Sequence, residues 1–414
     1  MLKTLFPRAF HAHLSLPLLG AIADGFDDWL SRQGYTVKSR THAIEMLRHI
    51  EKDLRRRGIE RVAHLNHSIL HESWEAMIKR FPTEAGTVRA LERFLNEHAL
   101  LDAYGDAEPL SEIDVLITAY AVDLLEIRGY APGTIAAHAR IARSFLTYLQ
   151  KSGCQLQGLS SIDLEAYLKK TAKHLGRGSL QNEVAVLRSF LHFLTTQQKT
   201  PPGLDVQIDT PRLYRLEKLP RSLSWKVVRD FLHSIDRTTK IGLRDYTIFL
   251  LMATYGLRTS EIVVLTLEDI QWRNNKIRIV QPKTSTPLEL PLTNEVGAAL
   301  LKYLKRVPPR PPYRQLFLRM MAPIGPLRAN SVTSAFQVWS RRSGLRIPFK
   351  GAHCLRHSYA ANLLNHGTSL KTIGDLLGHQ CARSTVMYLR LATEDLRDVA
   401  LPLPVKSEPR EARA

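Results

Sequence analysis

Cysteine is scarce in this chain, since only Cys154, Cys354 and Cys381 occur among its 414 residues. They lie far apart, so the sequence contains neither a disulfide framework nor the paired spacing of a cysteine-based zinc site. Long apolar runs are also lacking, and no stretch approaches the roughly 20 apolar residues that cross a bilayer. We therefore expect no membrane segment and predict a protein of the reducing cytoplasm.

Acidic residues are too few to balance the basic ones. The chain has 58 Lys and Arg against 39 Asp and Glu, a formal net charge of +19, and the excess is spread along its length. Binding a polyanion releases counterions, which favours association with a basic protein. The charge therefore favours nucleic acid as the partner, although a merely basic protein has the same composition.

The opening stretch places basic residues before an apolar run that ends in small residues, as a secretory signal peptide does. Histidine, serine and proline interrupt the apolar part, and the following residues continue into helical periodicity. We therefore predict that this stretch is the first helix of a folded domain and not a targeting segment.

Residues 20–100 and 115–196 read as two versions of one helical unit. Each contains a Gly-Tyr pair and a later glycine that align without a gap, namely Gly34, Tyr35 and Gly58 with Gly129, Tyr130 and Gly153. Between them, apolar residues recur at helical spacing and many Lys and Arg lie on the other face. The pattern predicts two small helical bundles in tandem, whose basic faces are either solvated surface or a DNA-binding surface.

Proline and basic residues replace helical periodicity after residue 200, which predicts a linker. Further on, "KIRIVQPKTSTPLELPLT" alternates β-branched residues around a polar turn and predicts a β-hairpin. The predicted fold is mainly α with a small antiparallel β-sheet. Its predicted parts are an N-terminal helical domain (1–105), a second helical domain (106–200), a basic linker (201–223), a mainly helical domain with the hairpin (224–400) and a disordered tail (401–414).

The segment "HCLRH" places His353 and His357 one turn apart, as zinc-binding helices do. Such helices carry a glutamate directly after the first histidine, but Cys354 stands there, and Arg356 would put a fixed cation beside the metal. A metal site is therefore disfavoured. An arginine flanked by histidines suits an anion better, because its planar fork can donate two hydrogen bonds to one phosphate.

Other groups suited to a phosphate lie elsewhere in the same domain. They are Arg258 and Glu261 in "GLRTSEI", Lys283 in the hairpin turn, His379 after "LLG" and Tyr388 in "YLRL". Together with "HCLRHSYA", these segments resemble the motifs of the tyrosine recombinase (integrase) family in residue type and in their order along the chain. That family includes phage integrases and chromosome-dimer resolvases. The resemblance covers residues 112–400. It implies that 106–200 is the DNA-binding core-binding domain and 224–400 the catalytic domain, so that 1–105 is an additional helical domain.

The resemblance implies site-specific DNA strand exchange by transesterification. Tyr388 would attack the scissile phosphate and leave a 3′-phosphotyrosyl link and a free 5′-hydroxyl. A phenol of pKa about 10 is a weak nucleophile at neutral pH, so it needs a base or nearby positive charge. Arg258 and Arg356 meet that need, because each can bind two non-bridging oxygens of the transition state. Taken alone, Tyr388 would read as a half-buried helix aromatic.

The remaining roles also follow from the resemblance. Lys283 is the general acid for the departing 5′-oxygen, with the hydroxyl residues beside it in the turn as alternatives, and Glu261 orients its neighbours. His353 exchanges a proton with Tyr388, and His379 donates a hydrogen bond to the phosphate. Three further residues match no catalytic position and are assigned to packing or local hydrogen bonding: His357, Tyr359 and His366.

The partner implied is double-stranded DNA with two recombination sites, and the working unit a homotetramer in which the segment after Tyr388 docks on a neighbouring subunit. No metal or nucleotide cofactor is implied, because the phosphotyrosine conserves the energy of the broken bond. The setting implied is a mobile element or replicon at the bacterial nucleoid, and a need for sibling recombinases is left open. Alternatives are a tyrosine-dependent topoisomerase or hairpin resolvase, and a DNA-binding accessory protein with an idle site.

Overall fold

The computed structural model describes residues 2–101, 111–212, 219–281, 287–379, 381 and 383–391. They form two compact units, one that combines 2–101 with the residues from 219 onward and one that comprises 111–212. Both are mainly helical, and the first contains a small antiparallel sheet, so the predicted fold class is confirmed. Within the described ranges, no helix is long and apolar enough to cross a membrane. The predicted tail (401–414) lies outside the described residues, and the domain boundaries stay a prediction.

Residues 2–101 fold around their own hydrophobic core. The prediction of one first helix is wrong, because the opening stretch is divided into two short helices and the start of a third. Pro7 and Pro17 follow the ends of the short helices, and a proline can neither donate the helical hydrogen bond nor avoid the preceding turn. The helices are α1 (Leu2–Leu5), α2 (Phe10–Leu14), α3 (Gly20–Arg32), α4 (Val37–Arg56), α5 (His67–Arg80) and α6 (Gly86–Glu97).

Residues 111–212 repeat the element order of α3 to α6, in α7 (Glu112–Glu126), α8 (Pro132–Lys151), α9 (Ser161–Ala172) and α10 (Arg177–Thr196). Both α4 and α8 have 20 residues and lie between two glycines with a left-handed backbone. These are Gly34 (φ 82°) and Gly58 (φ 81°) around α4, and Gly129 (φ 62°) and Gly153 (φ 68°) around α8. The aligned glycines therefore form the turns that enter and leave the second helix of each unit. Glycine adopts this backbone without the steric clash that a residue with a Cβ would have.

Gly34 also contacts the C-terminal part of its unit. The N–H of Ile324 donates to the carbonyl of Gln33 at 3.1 Å. A Cβ at Gly34 would collide with the Ile324 side chain, whereas a Cβ at Gly58 would have no described atom within 4 Å. The two glycines therefore share a backbone conformation and differ in their surroundings.

We expect Gly34→Ala to destabilise the protein more than Gly58→Ala. Both substitutions add left-handed strain of about 1–2 kcal/mol, but only the first also pushes against Ile324, which adds about 1–3 kcal/mol. Urea unfolding of the full chain measures the difference, and Ile324→Ala in the Gly34→Ala background should recover the additional part. Equal losses for the two glycine variants would contradict the contact between residues 2–101 and Ile324.

The residues from 219 onward have a separate hydrophobic core, in which the helix Lys240–Tyr255 is buried along most of its length. Three strands pair antiparallel in chain order: β1 (Ile270–Gln271), β2 (Lys276–Val280) and β3 (Pro287–Pro291). The predicted hairpin strands, β2 and β3, are thus confirmed, and the turn between them lies outside the described residues. The helices are α11 (Trp225–Ser234), α12 (Lys240–Tyr255), α13 (Thr259–Val264), α14 (Asn294–Arg306), α15 (Ala329–Arg342), α16 (His353–Asn365), α17 (Leu370–Leu377) and α18 (Arg383–Val386).

The described parts of the predicted linker, 201–212 and 219–223, contain neither helix nor strand. Leu204 and Ile208 are nevertheless buried in the core of the unit 111–212. At the other end, Leu223 is buried in the C-terminal core, and its N–H donates to Oγ of Ser358 on α16 at 2.8 Å. The chain just before α11 is therefore anchored to the helix that carries the "HCLRH" residues.

Candidate active site

The end of α12 depends on a glycine. Gly256 adopts a left-handed backbone (φ 65°) directly after Tyr255, the last residue of α12. A Cβ at Gly256 would lie 2.6 Å from the ring of Tyr359 on α16 and 2.7 Å from Leu377 on α17. Because both helices approach so closely, a larger residue would force them apart. The turn brings Arg258 to the start of α13.

Glu261 holds Arg258 at that position. The backbone N–H of Arg258 donates to Oε2 of Glu261 at 2.8 Å, and its guanidinium Nη1 donates to Oε1 at 2.5 Å. The Glu261 side chain is 1% exposed, and burial of a carboxylate is costly unless the group is paired and hydrogen-bonded. Glu261 therefore orients the guanidinium of Arg258.

Arg356 is buried on α16, with 2% of its surface exposed. Its Nη1 donates to the carbonyl of Gly256 and its Nη2 to the carbonyl of Leu377, each at 2.7 Å. Burial lowers the pKa of Arg356 to about 10, and repulsion from Arg258 contributes to the shift. Arg356 therefore remains positive at neutral pH, and it lies near Arg258 although the two residues are far apart in the sequence.

His379 follows directly after α17. That helix ends at Gly378, which has a left-handed backbone (φ 61°), as the "LLGHQ" pattern predicts. Nδ1 of His379 lies 2.8 Å from Oγ1 of the buried Thr385 on α18. Burial lowers the pKa of His379 to about 4, and the charges of Arg356 and Arg258 act in the same direction. The imidazole is therefore neutral at neutral pH and lies close to both arginines.

Tyr388 belongs to a short 3₁₀ turn, Met387–Leu391, and is only 1% exposed. Its ring is nearly parallel to that of His379, with centroids 6.4 Å apart. Its Oη lies 3.0 Å from Nδ1 of His357. Burial raises the pKa of Tyr388, while Arg356 and Arg258 lower it. The phenol therefore lies within the field of the two arginines.

His353 and His357 lie one turn apart at the start of α16, with ring centroids 4.7 Å apart. His353 is exposed, yet the surrounding protein still removes enough water to lower its pKa, and Arg356 and Arg258 lower it further. Within the part of the chain that the structure describes, no group of three or more His, Cys, Asp and Glu side chains could hold a metal ion.

Six of the predicted site residues meet in this cluster: Arg258, Glu261, His353, Arg356, His379 and Tyr388. Lys283, the predicted general acid, lies outside the described residues. The catalytic roles assigned to all of these residues stay predictions.

Three residues of the cluster were missed by the sequence analysis. His357 was assigned to packing or local hydrogen bonding, but it contacts Tyr388 from another helix. Its spacing of four from His353 is the signal that could have found it. Thr385 and Arg221 have no comparable signal, although the positive charge of Arg221 lowers the pKa of both His353 and His357.

Comparisons with known proteins identify the family of this chain. A family model described as "Phage integrase family" matches residues 221–395, and one described as "Phage integrase, N-terminal SAM-like domain" matches residues 117–198. A Sinorhizobium fredii protein named as an integrase/recombinase (y4rA) is 30% identical over 92% of this chain and 94% of its own length. Tyrosine recombinase XerD of Listeria monocytogenes is 30% identical over 67% of this chain and 94% of its own length.

Solved structures share the fold at low sequence identity. The Tn1549 transposon integrase, in complex with a circular intermediate DNA, covers 69% of this chain and 99% of its own with 18% identity and a TM-score of 0.53. The XerH site-specific recombinase, bound to a palindromic difH substrate, covers 68% of this chain and 83% of its own with 19% identity and a TM-score of 0.52. The chain therefore belongs to the tyrosine recombinase (phage integrase) family of site-specific DNA recombinases, which act by transesterification.

Proposed function

We propose that Tyr388 cleaves a DNA strand by direct attack on the scissile phosphorus. The attack forms a 3′-phosphotyrosyl bond and releases the 5′-oxygen, and the reverse reaction with a partner strand completes the exchange. The observation that carries the proposal is the position of the Tyr388 phenol beside two guanidinium groups brought from distant parts of the chain. No other group in the cluster combines a nucleophilic oxygen with that much positive charge among the described residues.

The two arginines would stabilise the transition state. Negative charge grows on the non-bridging oxygens as the phenol approaches phosphorus, and preorganised guanidinium donors lower the energy of that state more than the energy of the bound substrate. Glu261 fixes Arg258, and two backbone carbonyls fix Arg356. Neither cation has to reorganise during the reaction, which is the condition for a large electrostatic contribution.

Lys283 is proposed as the general acid for the 5′-oxygen. The Gln281 side chain occupies the space that a Cβ at Gly378 would need. The chain directly after β2 therefore contacts Gly378, the residue before His379. Lys283 is two residues further along, and two residues span at most about 7 Å. This short separation in the sequence supports Lys283 as the source of an ammonium group for the site. We also propose that His379 donates a hydrogen bond to the phosphate.

A nicked suicide substrate tests this function. Cleavage next to the nick releases a short fragment that diffuses away, so the covalent intermediate accumulates. We expect the wild-type protein to become attached to DNA through Tyr388, with a 3′-phosphate link and a 5′-hydroxyl on the released fragment. Peptide mapping identifies the residue, and kinase labelling of the released end identifies the polarity. A 5′-linked adduct, or none with cognate DNA, would reject the proposal.

The wider setting that we propose is a homotetramer on two DNA sites in the bacterial cytoplasm, at the nucleoid, with sibling recombinases as optional partners. The resemblance to an integrase of the transposon Tn1549 supports a mobile element as the source of those sites. Inverted repeats or sibling recombinase genes in the DNA that flanks the coding region would support this setting. A coding region without such repeats, at a chromosome terminus, would count against it.

We also infer a DNA contact in the unit 111–212, at a cavity of about 520 Å³ between α8 and α9. Basic and hydroxyl side chains line it together: Arg140, Arg143, Ser144, Thr147, Tyr148, Lys151, Lys170, Thr171 and His174. Nζ of Lys170 lies over the ring of Tyr148, 5.0 Å from its centroid. Cations and hydroxyl groups of this kind bind the sugar-phosphate backbone and position a protein on a duplex.

Lys170→Ala should weaken DNA binding, whereas Lys169→Ala should not. Lys169 is the adjacent residue of α9, does not line the cavity and pairs with Glu165 at 2.8 Å. Loss of one phosphate contact makes the negative slope of log affinity against log salt less steep by about 0.9. Gel-shift titrations between about 50 and 200 mM salt measure that slope. Identical slopes for both variants and the wild type would exclude this surface.

A further inference from the structure

We propose that His357 accepts the proton of Tyr388 while the phenol oxygen attacks phosphorus, which makes His357 a catalytic residue. The inference rests on the proposed function, because it assigns a base to the nucleophile named there. The observation behind it is the hydrogen bond between Nδ1 of His357 and Oη of Tyr388 at 3.0 Å. The resemblance assigns this proton exchange to His353, one turn earlier on α16.

The packing around Tyr388 keeps its hydroxyl on His357. The phenol ring is 1% exposed and lies between two imidazoles, with ring centroids 5.7 Å from His357 and 6.4 Å from His379. His379 is in turn fixed by Thr385. A general base has to lie within about 2.6–3.2 Å of the oxygen whose proton it accepts, and His357 meets this requirement.

The surroundings of His357 decide which group holds the proton at rest. Burial lowers the pKa of His357 to about 4, and nearby charges act in the same direction. The charged and titratable groups around it are His353 and Arg356 on α16, Arg221 before α11, His379 after α17 and Tyr388 in the 3₁₀ turn. At neutral pH the imidazole is therefore uncharged. In the tautomer that carries its proton on Nε2, Nδ1 accepts the hydrogen bond that the Tyr388 hydroxyl donates, and this is the tautomer that the proposal requires.

The step transfers one proton and exchanges one bond at phosphorus. As Oη of Tyr388 bonds to phosphorus, its O–H bond breaks and the proton moves to Nδ1 of His357. The bond from phosphorus to the 5′-oxygen breaks, and that oxygen takes a proton from the general acid. The anionic phosphate offsets the charges of Arg356 and Arg221, which raises the pKa of the imidazole when the proton has to be accepted. The new imidazolium then attracts the phosphate.

His357→Asn separates a base from a residue that only positions Tyr388. The Oδ1 atom of asparagine can replace Nδ1 as the hydrogen-bond acceptor but cannot take the proton. A suicide substrate with sulfur in place of the 5′-oxygen needs no general acid, so its cleavage isolates the nucleophile. We expect the variant to cleave it about 10²–10⁴-fold more slowly than the wild type. Its rate should rise about tenfold per pH unit between about pH 6 and 9, as phenolate forms.

Several outcomes would overturn the role of His357. The first is cleavage by His357→Asn at the wild-type rate. The second is slower cleavage with the wild-type pH dependence, because such a result indicates that His357 only positions Tyr388. The control His366→Asn, at a residue bonded locally to the Asn362 carbonyl, should cleave normally. If the wild type forms no adduct at Tyr388, the proposed function itself fails. An adduct in the wild type together with an unaffected His357→Asn variant rejects only the base.

A measurement on the wild-type protein covers the case in which His357→Asn does not fold. With the sulfur substrate, the wild-type rate should be nearly constant above neutral pH and should fall only on the acidic side, with an apparent pKa below the ordinary histidine value of about 6.5. A wild-type rate that climbs steadily to about pH 9 would mean that the phenol ionises without a neighbouring base. That profile would reject the inference without any substitution.

Discussion

Tyr388→Phe should bind DNA as the wild type does and form no covalent adduct with a nicked suicide substrate. Phenylalanine keeps the ring that packs between His357 and His379 and removes only the hydroxyl. No other atom of the side chain can bond to phosphorus, so the loss should be complete and not partial. Denaturing gels measure the adduct, and native gels with the same preparations measure binding.

The matched control for this substitution is Tyr359→Phe. Tyr359 lies on α16, where its ring packs against Gly256 and burial raises its pKa as it does for Tyr388. Its variant should form the adduct at the wild-type rate. Tyr388→Phe removes one hydrogen bond with His357, which costs about 1 kcal/mol of stability, so both variants should remain folded. An adduct with Tyr388→Phe, or none with Tyr359→Phe, would contradict the assignment of the nucleophile.

Local backbone signals explain why much of the fold and of the site was predictable. Gly256 and Gly378 end helices because only glycine accepts the left-handed backbone without strain. Gly378 stands directly before the predicted site residue His379, and Gly256 stands two residues before Arg258. Alternating β-branched residues likewise predicted strands β2 and β3. Such features depend on a few neighbouring residues, so the sequence alone contains them.

Contacts between distant segments explain what the sequence analysis missed. His357 and Tyr388 are 31 residues apart, and their hydrogen bond depends on how the 3₁₀ turn packs on α16. Arg221 affects the histidines because Leu223 anchors the end of the linker to α16 through Ser358. The composition of residues 201–223 predicted a linker without structural contacts. Many prolines and charged residues indicate that a segment does not form a helix, but they do not show whether its single apolar residues pack against a domain.

The two arginines should respond differently to lysine. Arg356→Lys should lower both cleavage and stability, whereas Arg258→Lys should lower cleavage alone. A lysine binds one phosphate oxygen where an arginine binds two, so each variant should cleave DNA about 10²–10³-fold more slowly. Only Arg356 also spans two buried carbonyls, those of Gly256 and Leu377. A single ammonium cannot reach both, and one unpaired carbonyl costs about 1–3 kcal/mol.

Arg258 differs because its structural partner is a carboxylate. A lysine at this position can still pair with the buried Glu261, so the free energy of unfolding should change by less than about 1 kcal/mol. Single-turnover cleavage and urea unfolding of both variants therefore separate the shared role at the phosphate from the structural role of Arg356. Wild-type cleavage by Arg356→Lys would remove it from the catalytic set. Equal destabilisation by both variants would mean that the Gly256 and Leu377 carbonyls find other donors, and that Arg356 is held in the site by charge alone.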